Sequence, residues 1–155
     1  MTRSPRILDV QRGEIQINES WVYVWIQQIS HLVIYVGATN STPELRSWLH
    51  LHDTDPGVGR IIARRPEAIE EDFEILAYPV PQSLSRLSVK EVLIWKLSES
   101  GQLSADYIGE PAGTHDVSHE LSTFVDEVVE AVTRASLTQV VTRSVRKWRE
   151  WLVVS

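Results

Sequence analysis

Five side chains in this sequence have the types and spacing for work on a phosphate ester. Tyr23 and Tyr35 lie in two successive apolar runs, Arg46 and His50 stand one helical turn apart downstream, and Glu91 sits inside a later apolar stretch. Hydrolysing such an ester needs an activated water, charge stabilisation at phosphorus and help for the leaving oxygen. A carboxylate such as Glu91 can hold one Mg²⁺ (or Mn²⁺), an ion that keeps several waters, leaves room for a phosphate oxygen and lowers the pKa of bound water. Arg46 is always charged and can grip phosphate oxygens in pairs. A tyrosine, with a pKa of about 10, is a poor base unless nearby cations lower that value. Either tyrosine could position or deprotonate the water, and His50 could relay a proton or contact phosphate.

Each of these residues also has a plain structural use. Tyrosines are ordinary in β-sheets, and Arg46 and His50 suit the exposed flank of an amphipathic helix. Ser88-Val89-Lys90-Glu91 reads as a capping box, with Ser88 as N-cap and Glu91 closing it. If a helix starts there, Glu91 is a cap and not a ligand. Rival patterns are thinner. His50-Leu51-His52-Asp53 has metal-ligand types but no third histidine nearby. In His115-Asp116-Val117-Ser118-His119 the paired histidines have zincin spacing, but Asp116 more simply caps the helix that follows. Gly57-Val58-Gly59 reads as a turn. The six tryptophans could stack bases, although their spacing places most of them in the core, with Trp151 the most exposed.

Several elements must position these groups. Trp21–Ile26 and Leu32–Val36 are rich in β-branched and aromatic residues and predict an antiparallel hairpin joined by Gln27–His31. Ile15-Gln16-Ile17 adds a short edge. Thr42, Pro43 and Glu44 form a helix start, and Leu45, Trp48 and Leu49 supply its buried face, with Arg46 and His50 on an adjoining one. Residues 60–72 predict a loop and a short helix. Phe73–Val80 predicts a third strand, at an edge or ending at Pro79. Residues 82–98 predict a helix with Leu84, Leu87, Leu93, Ile94 and Leu97 inward, broken at Gly101. Residues 117–135 predict a second helix, with Leu121, Phe124, Val125, Val128 and Val132 inward. The tail from Leu137 to Val154 suits either a helix through Val145, Trp148 and Leu152 or a strand at Val140-Val141.

The chain has 155 residues, about one domain's worth, and 43% are apolar, enough for a real core. With no cysteine, disulfides, Cys-ligated zinc and thiol catalysis are excluded. No apolar run is long enough to cross a membrane, and the first residues lack a signal peptide's apolar stretch, so a cytoplasmic location is expected. The net charge is −6, and residues 66–130 carry 14 acidic against 3 basic side chains. Any basic face must therefore come from the two ends, chiefly Arg60, Arg64, Arg65, Arg143, Arg146, Lys147 and Arg149. The acidic middle opposes strong non-specific binding to a phosphate backbone.

The ordered set of motifs resembles the GIY-YIG nuclease family. Two tripeptides, Trp21-Val22-Tyr23 and Tyr35-Val36-Gly37, have that family's separation on paired strands. The second matches well, and the first keeps its tyrosine alone. Arg46 and His50 stand where the family carries an arginine and a histidine on the next helix, and Glu91 stands where it carries a metal-binding glutamate. Asp106 falls at the spacing of a family asparagine, and Ala38 replaces a frequent lysine. The resemblance covers roughly residues 20–108. It implies an α/β fold: a small central antiparallel sheet of about three strands flanked by helices, with a C-terminal helical extension. Residues 1–115 would form the catalytic domain, and 116–155 a helix and basic tail on the same domain. The implied activity is metal-dependent endonucleolytic hydrolysis of DNA, with Tyr23, Tyr35, Arg46, His50 and Glu91 as catalytic residues and Glu91 holding the Mg²⁺. The alternative is a catalytically inactive module on the same scaffold, acting through protein partners or as a homodimer by way of its C-terminal region.

Overall fold

The computed structural model describes residues 9–16, 19–113 and 116–135. The tail over 137–154, with its basic cluster and Trp151, lies outside these residues, as does His115. A hairpin of β1 (Asp9–Gln11) and β2 (Glu14–Gln16) stands as its own two-stranded sheet. Its turn residues Arg12 and Gly13 both have positive φ, as the tightest hairpin turns demand.

The central sheet has three antiparallel strands in the order β4-β3-β5, with β3 (Trp21–Gln27), β4 (Val33–Thr39) and β5 (Phe73–Pro79). The expected hairpin is present, and β5 forms an edge that ends at Pro79, where a missing N–H interrupts no ladder. β3 is buried along almost its whole length because both sheet faces are covered. On one face Val22, Val24, Ile26 and Val36 meet α3 (Arg86–Glu99) and a helix over 119–135, here α4, in the larger apolar cluster. On the other face Tyr23, Trp25 and Tyr35 join Ile61 and Ala68 in a smaller, aromatic cluster. That face is covered by α1 (Pro43–His52), α2 (Arg60–Arg64) and a 3-10 turn at Pro66–Glu70. The chain is thus a small α/β fold, a three-stranded antiparallel sheet flanked by helices with a further helix at the C-terminal side. No helix among the described residues is long and apolar enough to cross a membrane.

Three expectations about the helices are corrected here. α1 begins as expected, with Thr42 capping the Leu45 amide and Pro43 at its first position, but its faces are exchanged. Leu45 and Trp48 are 51% and 57% exposed, while His50 is wholly buried. A polar partner inside the aromatic cluster holds His50 there, so a hydrogen bond outweighs the apolar stripe. α3 begins at Arg86, capped by Ser85, neither near Gln82 nor at Ser88. Glu91 is therefore in the second turn, past the capping positions, and Leu87 turns outward while Leu93, Ile94 and Leu97 are buried. α4 is capped by Ser118, whose hydroxyl accepts from the Leu121 amide, and not by Asp116. Its apolar face, Leu121, Val125, Val128 and Val132, is buried within the chain's own core. Among the described tryptophans only Trp25 is buried; Trp21 is partly exposed, and Trp48 and Trp95 are exposed.

Candidate functional site

The β3–β4 register places Tyr23 opposite Gly37 and Trp25 opposite Tyr35, so both tyrosines project from one sheet face. Gly37 has a steric reason to be glycine. A Cβ there would collide with the Cζ and hydroxyl oxygen of Tyr23, whose ring lies across the neighbouring strand. The two tyrosine rings are 6.3 Å apart and inclined by 27°.

α1 delivers His50 into this aromatic floor. Its Nε2 lies 2.6 Å from the Tyr23 hydroxyl, and its ring meets Tyr35 at 4.9 Å and Trp25 at 6.1 Å, each nearly edge-on. Burial, reinforced by the positive charges of Arg46 and Arg60, lowers the His50 pKa to about 3, so the ring is neutral across the physiological range. Whichever ring nitrogen carries the proton, Nδ1 has no hydrogen-bond partner among the described residues. Tyr23 is pushed the other way. Burial first, and then Tyr35, raise its pKa, and together they outweigh the pull of Arg46 and Arg60 toward ionisation. The hydroxyl therefore stays protonated at neutral pH, and the expectation that nearby cations make it a base is not met by these side chains.

Above the tyrosines opens a pocket of about 290 Å³, bounded by the end of β4 and the turn into α1. Arg46, Arg60, Arg86 and Lys90 line it together with Tyr23 and Tyr35. Two of these cations are aimed by backbone carbonyls: Arg46 donates to Val58 O at 2.9 Å, and the Arg60 Nε donates to Gly57 O at 3.0 Å. The Gly57–Gly59 turn thus serves the pocket by orienting arginines. Arg86 and Lys90 come from one face of α3, a turn apart, and Lys90 is buried.

Of the five expected residues, Tyr23, Tyr35, Arg46 and His50 come together and Glu91 does not join the lining. Its neighbour Lys90 takes the inward position, on the same face of α3 as the buried Leu93 and Leu97. Asp106 is also away from the pocket, 3.9 Å from Arg65. Arg65 itself is committed to Glu71, with its Nε and Nη2 both donating to that carboxylate. His50 and His52 occupy different faces of α1, His52 stacking on Trp48 at 4.7 Å, so the His-x-His-x-Asp pattern does not converge. Among the described residues no cluster of three or more His, Asp or Glu gathers that could hold a metal.

Sequence reasoning missed Arg86 and Lys90 as site residues and saw Arg60 only as part of a basic face. The signal for the first two was their i, i+4 spacing, usable once the helix start is known. The cationic donors of the lining suit an anion. Two unit charges 4 Å apart interact by about 4 kcal/mol near a protein surface. Four cations line the pocket and attract a phosphate, although Glu110, outside the lining, pairs with Lys90 and lies 3.8 Å from Arg60. No family model matches this chain, and neither a curated protein nor a solved structure matches it.

Proposed function

We propose that this chain binds nucleic-acid phosphate at the Tyr23–Arg46 pocket, as a GIY-YIG-like scaffold that works by recognition and not by metal-dependent cutting. The observation that carries the reading is the lining itself: Arg46, Arg60, Arg86 and Lys90 converge on two tyrosines, with the half-exposed Glu110 carboxylate beside Lys90 and Arg60. Arginine forks suit phosphate oxygens, and side chains already held by carbonyls lose little freedom on binding. Fluorescence anisotropy with single-stranded, duplex and branched DNA in EDTA tests it. Binding should persist without metal and weaken about tenfold in Arg46→Ala and in Lys90→Ala, the loss of one charge-assisted contact. Equal binding by wild type and both variants would sink the site.

A second reading, a DNA endonuclease using one Mg²⁺ or Mn²⁺, is favoured by the 2.6 Å contact between Tyr23 and His50 with Arg46 beside it. Its test is cleavage of plasmid, single-stranded and branched DNA with either metal against EDTA. Metal-dependent cutting by wild type that disappears in Glu91→Gln and Arg46→Ala would replace the binding reading with this one.

A further inference from the structure

Glu110 supplies the pocket with an anion of the protein's own. Its carboxylate accepts from Lys90 Nζ at 2.8 Å and lies 3.8 Å from the Arg60 guanidinium, and both cations line the pocket. The segment that carries it is fastened along its length. The Ile108 amide donates to Ile34 O at 2.9 Å, Arg64 donates to Ile108 O at 2.6 Å, and the Tyr107 hydroxyl donates to the Glu110 carbonyl at 2.9 Å. Gly109 lets the chain pass close to Tyr107, since a Cβ there would collide with that hydroxyl. The Glu110 side chain nonetheless remains half exposed, so it can be displaced without disturbing the core.

An arriving anion that engages Lys90 and Arg60 must compete with this carboxylate. An internal phosphodiester carries a single negative charge. Exchanging a tethered carboxylate for it gains no charge and gives up the advantage of the tether. A terminal phosphate carries about −1.5 to −2 at neutral pH and presents three acceptor oxygens. It can satisfy the pair that Glu110 leaves and still engage Arg46 and Arg86. From this we infer that Glu110 makes the pocket selective for a phosphorylated strand end over an internal phosphodiester, an inference that rests on the phosphate-binding reading above.

The test measures dissociation constants in EDTA for one single-stranded oligonucleotide with a 5′-phosphate, a 3′-phosphate or hydroxyl ends, beside a nucleoside monophosphate. Wild type should bind one phosphorylated form about tenfold more tightly than the hydroxyl form, one extra charge-assisted contact's worth. Glu110→Gln, checked for an unchanged circular dichroism spectrum, should bind the hydroxyl form several-fold more tightly than wild type does and lose most of the preference. Equal wild-type affinity for all three ends overturns the inference and leaves the phosphate site standing. An undiminished preference in Glu110→Gln overturns the role of Glu110. A monophosphate that binds as tightly as the best oligonucleotide overturns the strand end as ligand. No wild-type binding to any of them overturns both this inference and the site.

Discussion

At the scale of single residues, His50 carries the clearest pH signature. In an unfolded chain its pKa is about 6.5; in the folded protein it is about 3. Below pH 6.5 the unfolded chain takes up a proton that the folded one refuses. The contribution to stability is therefore complete above pH 6.5 and is lost at about 1.4 kcal/mol per pH unit as pH falls toward 3. Urea titrations between pH 6.5 and 4.5 should show this loss, and His50→Phe should remove about 3 kcal/mol of it. An unchanged slope in that variant would mean the histidine is not the group responsible. Gly37→Ala tests the steric account of the second tripeptide. It should destabilise by about 1–3 kcal/mol, as overpacking does, and should alter the near-ultraviolet tyrosine signal as Tyr23 is displaced. The tyrosines and Arg46 were legible in the sequence because pattern and residue type alone mark them. Lys90 was not, because a lysine in line with Leu93 and Leu97 on a helix carries no mark of where its ammonium ends up.

Among elements, α1 shows how local signals can be right about existence and wrong about orientation. Thr42-Pro43-Glu44 marks its start correctly, and Thr42→Ala should cost about 1 kcal/mol in a thermal or urea melt. Its apolar stripe, by contrast, faces outward over Leu45 and Trp48. A helix of ten residues gains more from seating His50 on Tyr23 and aiming Arg46 at Val58 than from hiding two large side chains. Trp48→Gln should accordingly change stability by no more than about 0.5 kcal/mol. Leu93→Ala, on the buried face of α3, should cost about 2–5 kcal/mol. Comparable losses for the two would mean that the exchanged face is wrong. The strands were read more securely because a β-branched run buried on both sides leaves less choice of face than a helix does.

Taken whole, the molecule divides its labour across the sheet. The side toward α3 and α4 is aliphatic and supplies cohesion, whereas the side toward α1 and α2 is aromatic and supplies the pocket's tyrosines, with Arg46 and Arg60 joined there by Arg86 and Lys90 of α3. The chain is acidic overall, with net charge −6, yet four cations meet at one place. Among the described residues, that arrangement concentrates attraction for phosphate at the pocket. A plot of log affinity for single-stranded DNA against log salt should therefore have a shallow slope of about −0.7 to −1.4, reflecting one or two neutralised phosphates. A much steeper slope would indicate a broad basic surface elsewhere. This gathering of charge was invisible to composition, which averages over the whole chain and reports only the acidic excess.

The segment that ends in Glu110 also lies along the open edge of β4, where the Val33 amide donates to Gln102 O, the Ser104 amide donates to Val33 O and the Ile108 amide donates to Ile34 O. One stretch of backbone thus borders the sheet at one end and supplies the pocket's counter-charge at the other. If an arriving phosphate releases Glu110, the grip of that stretch on the strand should loosen with it. Amide hydrogen exchange at Ser104 and Ile108 should quicken on ligand addition while the amides of β3, sealed between two strands, stay slow. Pocket occupancy would then be read from a strand edge, at positions that never touch the ligand.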